Sequence, residues 1–189
     1  VVIDVMRGGP STGIPTKSEQ GDLNIALYGL HGDAPHLVLA ANSIVDARFT
    51  AQWAVHLAEA MQVPTVLLLD QAMGQARAVV DKPADIDFIA RRRAAGPDDL
   101  APEYARYKVT ADGVSPMALP GTAGGEYVAD GLEHGPRGRP STQADHHDDQ
   151  MSKRRDKLER FDYGTHWADI ADVGDGAPTT AVITFGSIT

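Results

Sequence analysis

Arg7, Ser11, Thr12 and Thr16 lie close together in the stretch RGGPSTGIPTKSEQ, residues 7–20. A guanidinium presents paired N–H donors that match both oxygens of a carboxylate, and hydroxyls beside it can donate or accept. Gly8, Gly9 and Gly13, with Pro10 between them, remove the side chains that would keep a ligand from the backbone. Together these residue types fit one wall of a site for a small anionic substrate. Each also has a structural use. An Arg can pair with a structural Asp or with a helix C-terminus, and Thr16 with Glu19 matches the Thr-x-x-Glu capping box.

Such a loop needs a rigid base. Residues 1–5, VVIDV, are apolar except for Asp4 and predict a strand just before it. After the loop, 17–30 predict a short helix, with Leu23, Ala26, Leu27 and Leu30 three and four apart. Residues 35–42 and 63–70 predict a second and third strand. The clearest helical pattern is 46–61, where Phe49, Trp53, Leu57 and Met61 recur every four residues and Ala54 and Ala58 widen the stripe. Apolar strands alternating with helices predict an α/β fold, a doubly wound parallel sheet covered on both sides. Ligands of such sheets bind beyond the carboxyl ends of the strands, which is where residues 7–16 must lie.

From residue 71 the texture becomes polar. Residues 113–140 are dense in Gly and Pro and predict long loops with a small hairpin. Residues 144–161 predict an exposed helix, with Asp149–Lys153 and Asp156–Arg160 as supporting pairs. Residues 179–185 predict a strand that opens a further α/β domain. The division expected is therefore 1–90, a loop-rich connection over 91–178, and 179–189. The sequence opens inside one apolar run, without an initiating Met, and closes on another, which predicts an interior piece of a longer polypeptide.

Other chemistries find little support. Gly8 to Gly13 has the spacing of a phosphate-binding P-loop, but Ile14 stands where that motif requires Lys. His146, His147, Asp148 and Asp149 are adjacent on a predicted helix, so their side chains diverge, and the acidic residues suit a helix N-terminus. His31, His36 and His56 fall in or beside predicted core elements and read as packed or hydrogen-bonded. No Ser-His-Asp or Cys-His arrangement is recognisable. The net charge of −9 argues against sequence-independent nucleic-acid binding. The chain has no Cys, which fits a reducing cytoplasm and leaves no thiolate for an iron–sulfur cluster. There is no apolar run long enough to predict a membrane span.

The stretch VVIDVMRGGPSTGIPTKSEQGDLNIALYGLHGDAP closely resembles the α subunit of the 2-oxoacid:ferredoxin oxidoreductases, 2-oxoglutarate type, in the domain that binds the thiamine pyrimidine. The likeness continues through VPTVLLLD, through SPMALPGTAGGEYVADGLEH and the polar helix after it, to AVITFGS. The resemblance implies thiamine-dependent oxidative decarboxylation of a 2-oxoacid, or its reverse. Electrons would pass singly through an iron–sulfur cluster to ferredoxin, and the acyl group to coenzyme A. It implies that Arg7 contacts the substrate carboxylate, that Thr16 shapes the pocket for the substrate side chain, and that Gly8, Gly9, Pro10, Ser11, Thr12 and Gly13 place them. It also implies a β subunit that holds Mg²⁺, the thiamine diphosphate group and a 4Fe–4S cluster. The family's catalytic Glu and its Tyr-Pro-Ile-Thr-Pro loop would fall upstream of residue 1, so no Glu here is nominated and the segment is not expected to be catalytic alone. Two alternatives stay open: an assembly segment that packs on the β subunit, and a thiamine-dependent decarboxylase without ferredoxin.

Overall fold

A computed structural model describes residues 1–10, 13–15, 17–82, 86–172, 174 and 176–189. Three parallel strands, β1 (Val2–Met6), β2 (Leu37–Ala40) and β3 (Thr65–Asp70), form a sheet in the order β1-β3-β2. β3 is central and the most fully buried of the three: Thr65, Leu67, Leu68 and Asp70 are all buried. Its register sets Val2 against Val66 and Met6 against Asp70 on one side, and Leu37 against Thr65 on the other.

Helices cover both faces. Helix α2 (Ile44–Met61) starts at Ser43, whose Oγ accepts from the Asp46 amide, while the Asp46 carboxylate accepts from the Asn42 amide. Its stripe of Trp53, Leu57 and Met61 packs with Leu37 and Leu39 of β2. The alternate residues Val38 and Ala40 point the other way, into a cluster with Met6, Leu68, Ala26 and Leu23 beneath helix α1 (Asp22–Tyr28). The doubly wound α/β expectation is thus borne out. Two short helices, α3 (Gln71–Gln75) and α4 (Pro97–Leu100), follow β3 and the first part of the loop-rich stretch.

Several expectations need correction. Helix α1 begins at Asp22, not at residue 17, because the preceding residues make tertiary bonds instead. The Lys17 carbonyl accepts from the Gly8 amide, Ser18 Oγ from the Ala72 amide, and Gln20 donates to the Phe185 carbonyl. β1 is not covered on both faces. It lies at the sheet edge, and Val2, Ile3 and Val5 are about half exposed. Residues 179–185 join no ladder among the described residues; Val182 and Ile183 are exposed, while Phe185 docks against the Met6–Leu68 cluster and a 3₁₀ turn follows at Gly186–Ile188.

Helix α5 (Ala144–Glu159) is not simply exposed either. Leu158 joins the Trp53–Leu57–Met61 core, and Gln150 and Lys153 are buried. Asp156 and Arg160 do pair at 2.8 Å. Lys153 turns inward, away from Asp149, and donates to the Tyr107 carbonyl at 3.1 Å. The loop-rich stretch between α4 and α5 is docked on this body as well. Val114, Ser115, Pro116 and Ala118 are buried, and the buried Tyr104 hydroxyl donates to the Pro116 carbonyl while accepting from the Ala118 amide, each at 2.8 Å. In place of a full hairpin there is, among the described residues, one antiparallel bridge, His134 to Pro140.

Candidate active-site cleft

Because β1 and β3 are adjacent and parallel, whatever follows each strand emerges side by side. Met6 ends β1 opposite Asp70, so Arg7 and its loop stand beside Gln71 and α3. Between them opens a cleft of about 620 Å³. Arg7, Gly9 and Pro10 supply one wall, Asp4 and Val5 the β1 side, Asp22 and Ile25 the α1 side, and Gln71 the remaining rim.

The loop folds back on itself. The Gly8 amide donates to the Lys17 carbonyl, and the Gly8 carbonyl accepts from the Ile14 amide at 2.6 Å. Gly13 closes the turn with φ +77°, and a Cβ there would lie 2.1 Å from the Gly8 carbonyl oxygen. Only glycine fits that position. The turn leaves Arg7 exposed at the cleft, directly after the buried Met6 that anchors it.

Asp70 fixes the opposite side. It is fully buried; one oxygen accepts from the Met73 amide at 2.9 Å and caps α3, and the other accepts from the Ser187 amide at 3.1 Å. Burial alone would raise its pKa, but the hydrogen bonds from Ser187, Met73 and Ala72 outweigh that and hold it below the ordinary carboxylate value. Inside the cleft the balance runs the other way. Burial, and then the neighbouring Asp22, push the Asp4 carboxyl up. Gln71 Oε1 is buried and has no donor among the described residues. A buried acceptor left without a donor is costly, so a ligand that brings an N–H or O–H to this rim is favoured. With one guanidinium against two carboxyls, the lining has room for at most one anionic group, at Arg7, beside a donor-bearing group at Gln71. It offers no countercharge to a diphosphate, and among the described residues no group of three or more His, Asp or Glu could hold a metal.

The family model for pyruvate flavodoxin/ferredoxin oxidoreductase, thiamine-diphosphate-binding, matches residues 1–153, which include every wall of this cleft. The chain belongs to this family. It is 33% identical over 191 residues to the 2-oxoacid:ferredoxin oxidoreductase subunit alpha of Saccharolobus solfataricus, covering 99% of this chain and 30% of that one. The 2-oxoglutarate oxidoreductase subunit KorA of Mycobacterium tuberculosis is 37% identical, with 99% and 28% covered. The 2-oxoglutarate synthase subunit KorA of Methanothermobacter marburgensis is 32% identical, with 97% and 50% covered. Among solved structures, the 2-oxoglutarate:ferredoxin oxidoreductase from Magnetococcus marinus with 2-oxoglutarate, coenzyme A and succinyl-CoA bound matches with a TM-score of 0.72 at 38% identity, covering 85% of this chain and 28% of that one. The chain therefore spans half or less of the length of these relatives.

Within this member of the thiamine-diphosphate-binding oxidoreductase family, the residues singled out in the sequence fare unequally. Arg7, Gly9 and Pro10 line the cleft, and Gly8 and Gly13 close the loop behind it. Ser11, Thr12 and Thr16 lie outside the described residues. Asp4, Asp22 and Gln71 were not singled out, and no spacing signal marks them; only the strand order brings position 71 beside position 7. The histidines are engaged elsewhere. His36 donates to the Ala26 carbonyl, and His56 Nδ1 lies 2.6 Å from the Phe88 carbonyl oxygen. His146 contacts Ser141 Oγ at 2.8 Å. His31 is exposed, contrary to expectation. No helix of the described residues is long and apolar enough to cross a membrane.

His147 belongs to a distinct electrostatic knot. Glu133 accepts from His147 Nδ1 at 2.7 Å and from both Arg154 η-nitrogens at 3.0 and 3.1 Å. Burial would raise the Glu133 pKa, but the bonds from Arg154 and His147 bring it from 4.5 down to about 2. A carboxylate depressed in the folded state stabilises the fold above its unfolded pKa and loses that contribution as pH falls through the folded one. Stability should therefore drop between pH 4.5 and about 2 by on the order of 3 kcal/mol from this group. Chemical denaturation of Glu133→Gln across the same window should show a shallower fall than the parent. Equal slopes would show that the knot carries no such linkage.

Proposed function

We propose that this chain forms the substrate-carboxylate wall of a thiamine-diphosphate site in the α subunit of a 2-oxoacid:ferredoxin oxidoreductase, and that its 2-oxoacid is 2-oxoglutarate. The observation that carries the reading is Arg7 at the carboxyl end of β1, held by a glycine-closed loop at the rim of the cleft. Its guanidinium grips the substrate carboxylate through two parallel N–H donors. Asp4, whose pKa burial and Asp22 push up, lies on the β1 side of the same cleft. Ile25 and Val5 offer apolar surface to the substrate chain, and Gln71 Oε1 accepts a hydrogen bond from the donor-bearing ring or substrate. Thr16, by family resemblance, shapes the side-chain end of the pocket. When bound, thiamine diphosphate supplies the carbanion chemistry that releases carbon dioxide.

The remaining parts belong to a partner β subunit: the diphosphate and Mg²⁺ site, and the 4Fe–4S cluster that passes electrons to ferredoxin. Coenzyme A accepts the acyl group, and the assembly works in the cytoplasm. The relatives named for 2-oxoglutarate, and the 2-oxoglutarate-bound neighbour, support that substrate over other 2-oxoacids.

The test is ferredoxin or viologen reduction by the full-length protein co-expressed with its β subunit, supplied separately with 2-oxoglutarate and with pyruvate, with and without coenzyme A. Coenzyme-A-dependent reduction with 2-oxoglutarate is expected. Reduction with pyruvate alone would replace the substrate, and no reduction from a preparation with intact cluster and cofactor would leave an assembly role for the exposed apolar face of β1.

A further inference from the structure

A second cavity lies on the opposite flank of the domain, where α5 crosses the C-terminal end of α2. It holds about 150 Å³ and is lined by Arg106, Lys153, Arg154 and Lys157, with Gln62 and Tyr107 among the neutral residues. That volume equals roughly five water molecules at ~30 Å³ each, which suits one tetrahedral ion with a few waters and excludes a nucleotide.

The charge there is unbalanced. Arg154 is matched by Glu133. Arg106, Lys153 and Lys157 meet only neutral acceptors: Arg106 donates to Gln62 Oε1 at 2.7 Å, Lys153 to the Tyr107 carbonyl at 3.1 Å, and Lys157 to the Gln62 carbonyl at 3.3 Å. No carboxylate lines the cavity, and among the described residues no carboxylate pairs with any of these three. The C-terminus of α2 contributes about half an elementary negative charge, far short of three cations. Lys153 is 8% exposed, so bulk solvent screens its charge little. Burial, then Lys157, Arg106 and Arg154, lower its pKa to about 7, as expected of a cation crowded by other cations.

The backbone keeps the space open. Gly113 has φ +72°, and a Cβ there would fall 2.6 Å from Lys157 Cβ and 2.9 Å from the Lys153 carbonyl oxygen. Gln62 takes the left-handed conformation at φ 52°, turning its carbonyl and its amide toward the cations and bonding to the Ser115 carbonyl at 3.0 Å.

We propose that this cavity binds a phosphate-class oxyanion, held by Arg106, Lys153 and Lys157. The site is separate from the Arg7 cleft and independent of the reaction assigned to it.

Isothermal titration of the full-length assembled protein with inorganic phosphate, in chloride buffer of matched ionic strength, should show saturable binding. Charge-assisted hydrogen bonds of ~1.5–3 kcal/mol each predict that Lys157→Gln weakens it about 10- to 100-fold. Lys153→Met should abolish the response and raise the thermal midpoint in phosphate-free buffer, since it removes an uncompensated buried cation. A purely structural lysine would behave oppositely, losing stability while phosphate binding persists. Arg7→Lys, at the other cleft, should leave the phosphate heat unchanged. A methyl phosphate arm separates the sources: binding equal to that of phosphate indicates the phosphoryl group of a larger ligand, and exclusion indicates the free ion. No phosphate heat beyond that of chloride, or binding that Lys157→Gln and Arg106→Gln both leave intact, would overturn the assignment.

Discussion

Arg7→Lys should cost the assembled enzyme roughly 10- to 100-fold in kcat/KM, because it replaces a two-pronged donor with a point charge. The charge survives the substitution, so long-range attraction of an anionic 2-oxoacid is kept. What is lost is the paired N–H geometry, worth about 1.5–3 kcal/mol for a charged partner. Arg7 is exposed, and among the described residues its side chain makes no hydrogen bond or ion pair, so the thermal midpoint and co-elution with the partner subunit should not change. Steady-state ferredoxin reduction beside size-exclusion chromatography checks both halves of the statement. Full turnover in the Lys variant would remove Arg7 from substrate recognition, and loss of assembly would make it a structural residue.

The second large effect concerns stability. Gly113→Ala forces a Cβ into Lys157 Cβ and the Lys153 carbonyl, on a backbone already in the left-handed region. The conformational cost is ~1–2 kcal/mol, and overpacking against the α5 backbone adds about 1–3 kcal/mol. Urea denaturation should therefore show a loss of roughly 2–5 kcal/mol, with α5 displaced from the Trp53–Leu57–Met61 core that Leu158 joins. A variant within ~0.5 kcal/mol of the parent would show that α5 can shift at no cost.

Much of the sheet was legible in advance because its signals are local. β3 reads as a buried strand from its own residues, and α2 from its four-residue apolar repeat, although the Ser43 cap that starts it at Ile44 went unread. Arg7 and the glycines were legible because residue types adjacent in sequence form a loop that folds on itself. What escaped was tertiary. A helix as polar as α5 reads as solvated, yet its lysines bury their stems and leave only their amines to be satisfied. The start of α1 was misplaced because residues 17–20 bond to positions as distant as 72 and 185. The cationic cavity draws on positions 62, 106, 153 and 157, and no window of sequence contains them together. Gln71 became a site residue only through the strand order that sets it beside Arg7.

That strand order also ranks the parts of the domain in time. β2, α2 and β3 are consecutive in the chain and close a short parallel crossover, whereas β1 pairs with β3 across the full length of that unit. The β2–α2–β3 unit thus needs the smaller loop closure and holds the Trp53–Leu57–Met61 core, while β1 and the Arg7 loop join by the longer one. The Arg7 loop is consequently expected to lock last and open first, as weaker amide protection at β1 than at β3 would show. On that order its geometry is set by docking onto a finished scaffold, and the cleft is expected to loosen without melting the sheet beneath it.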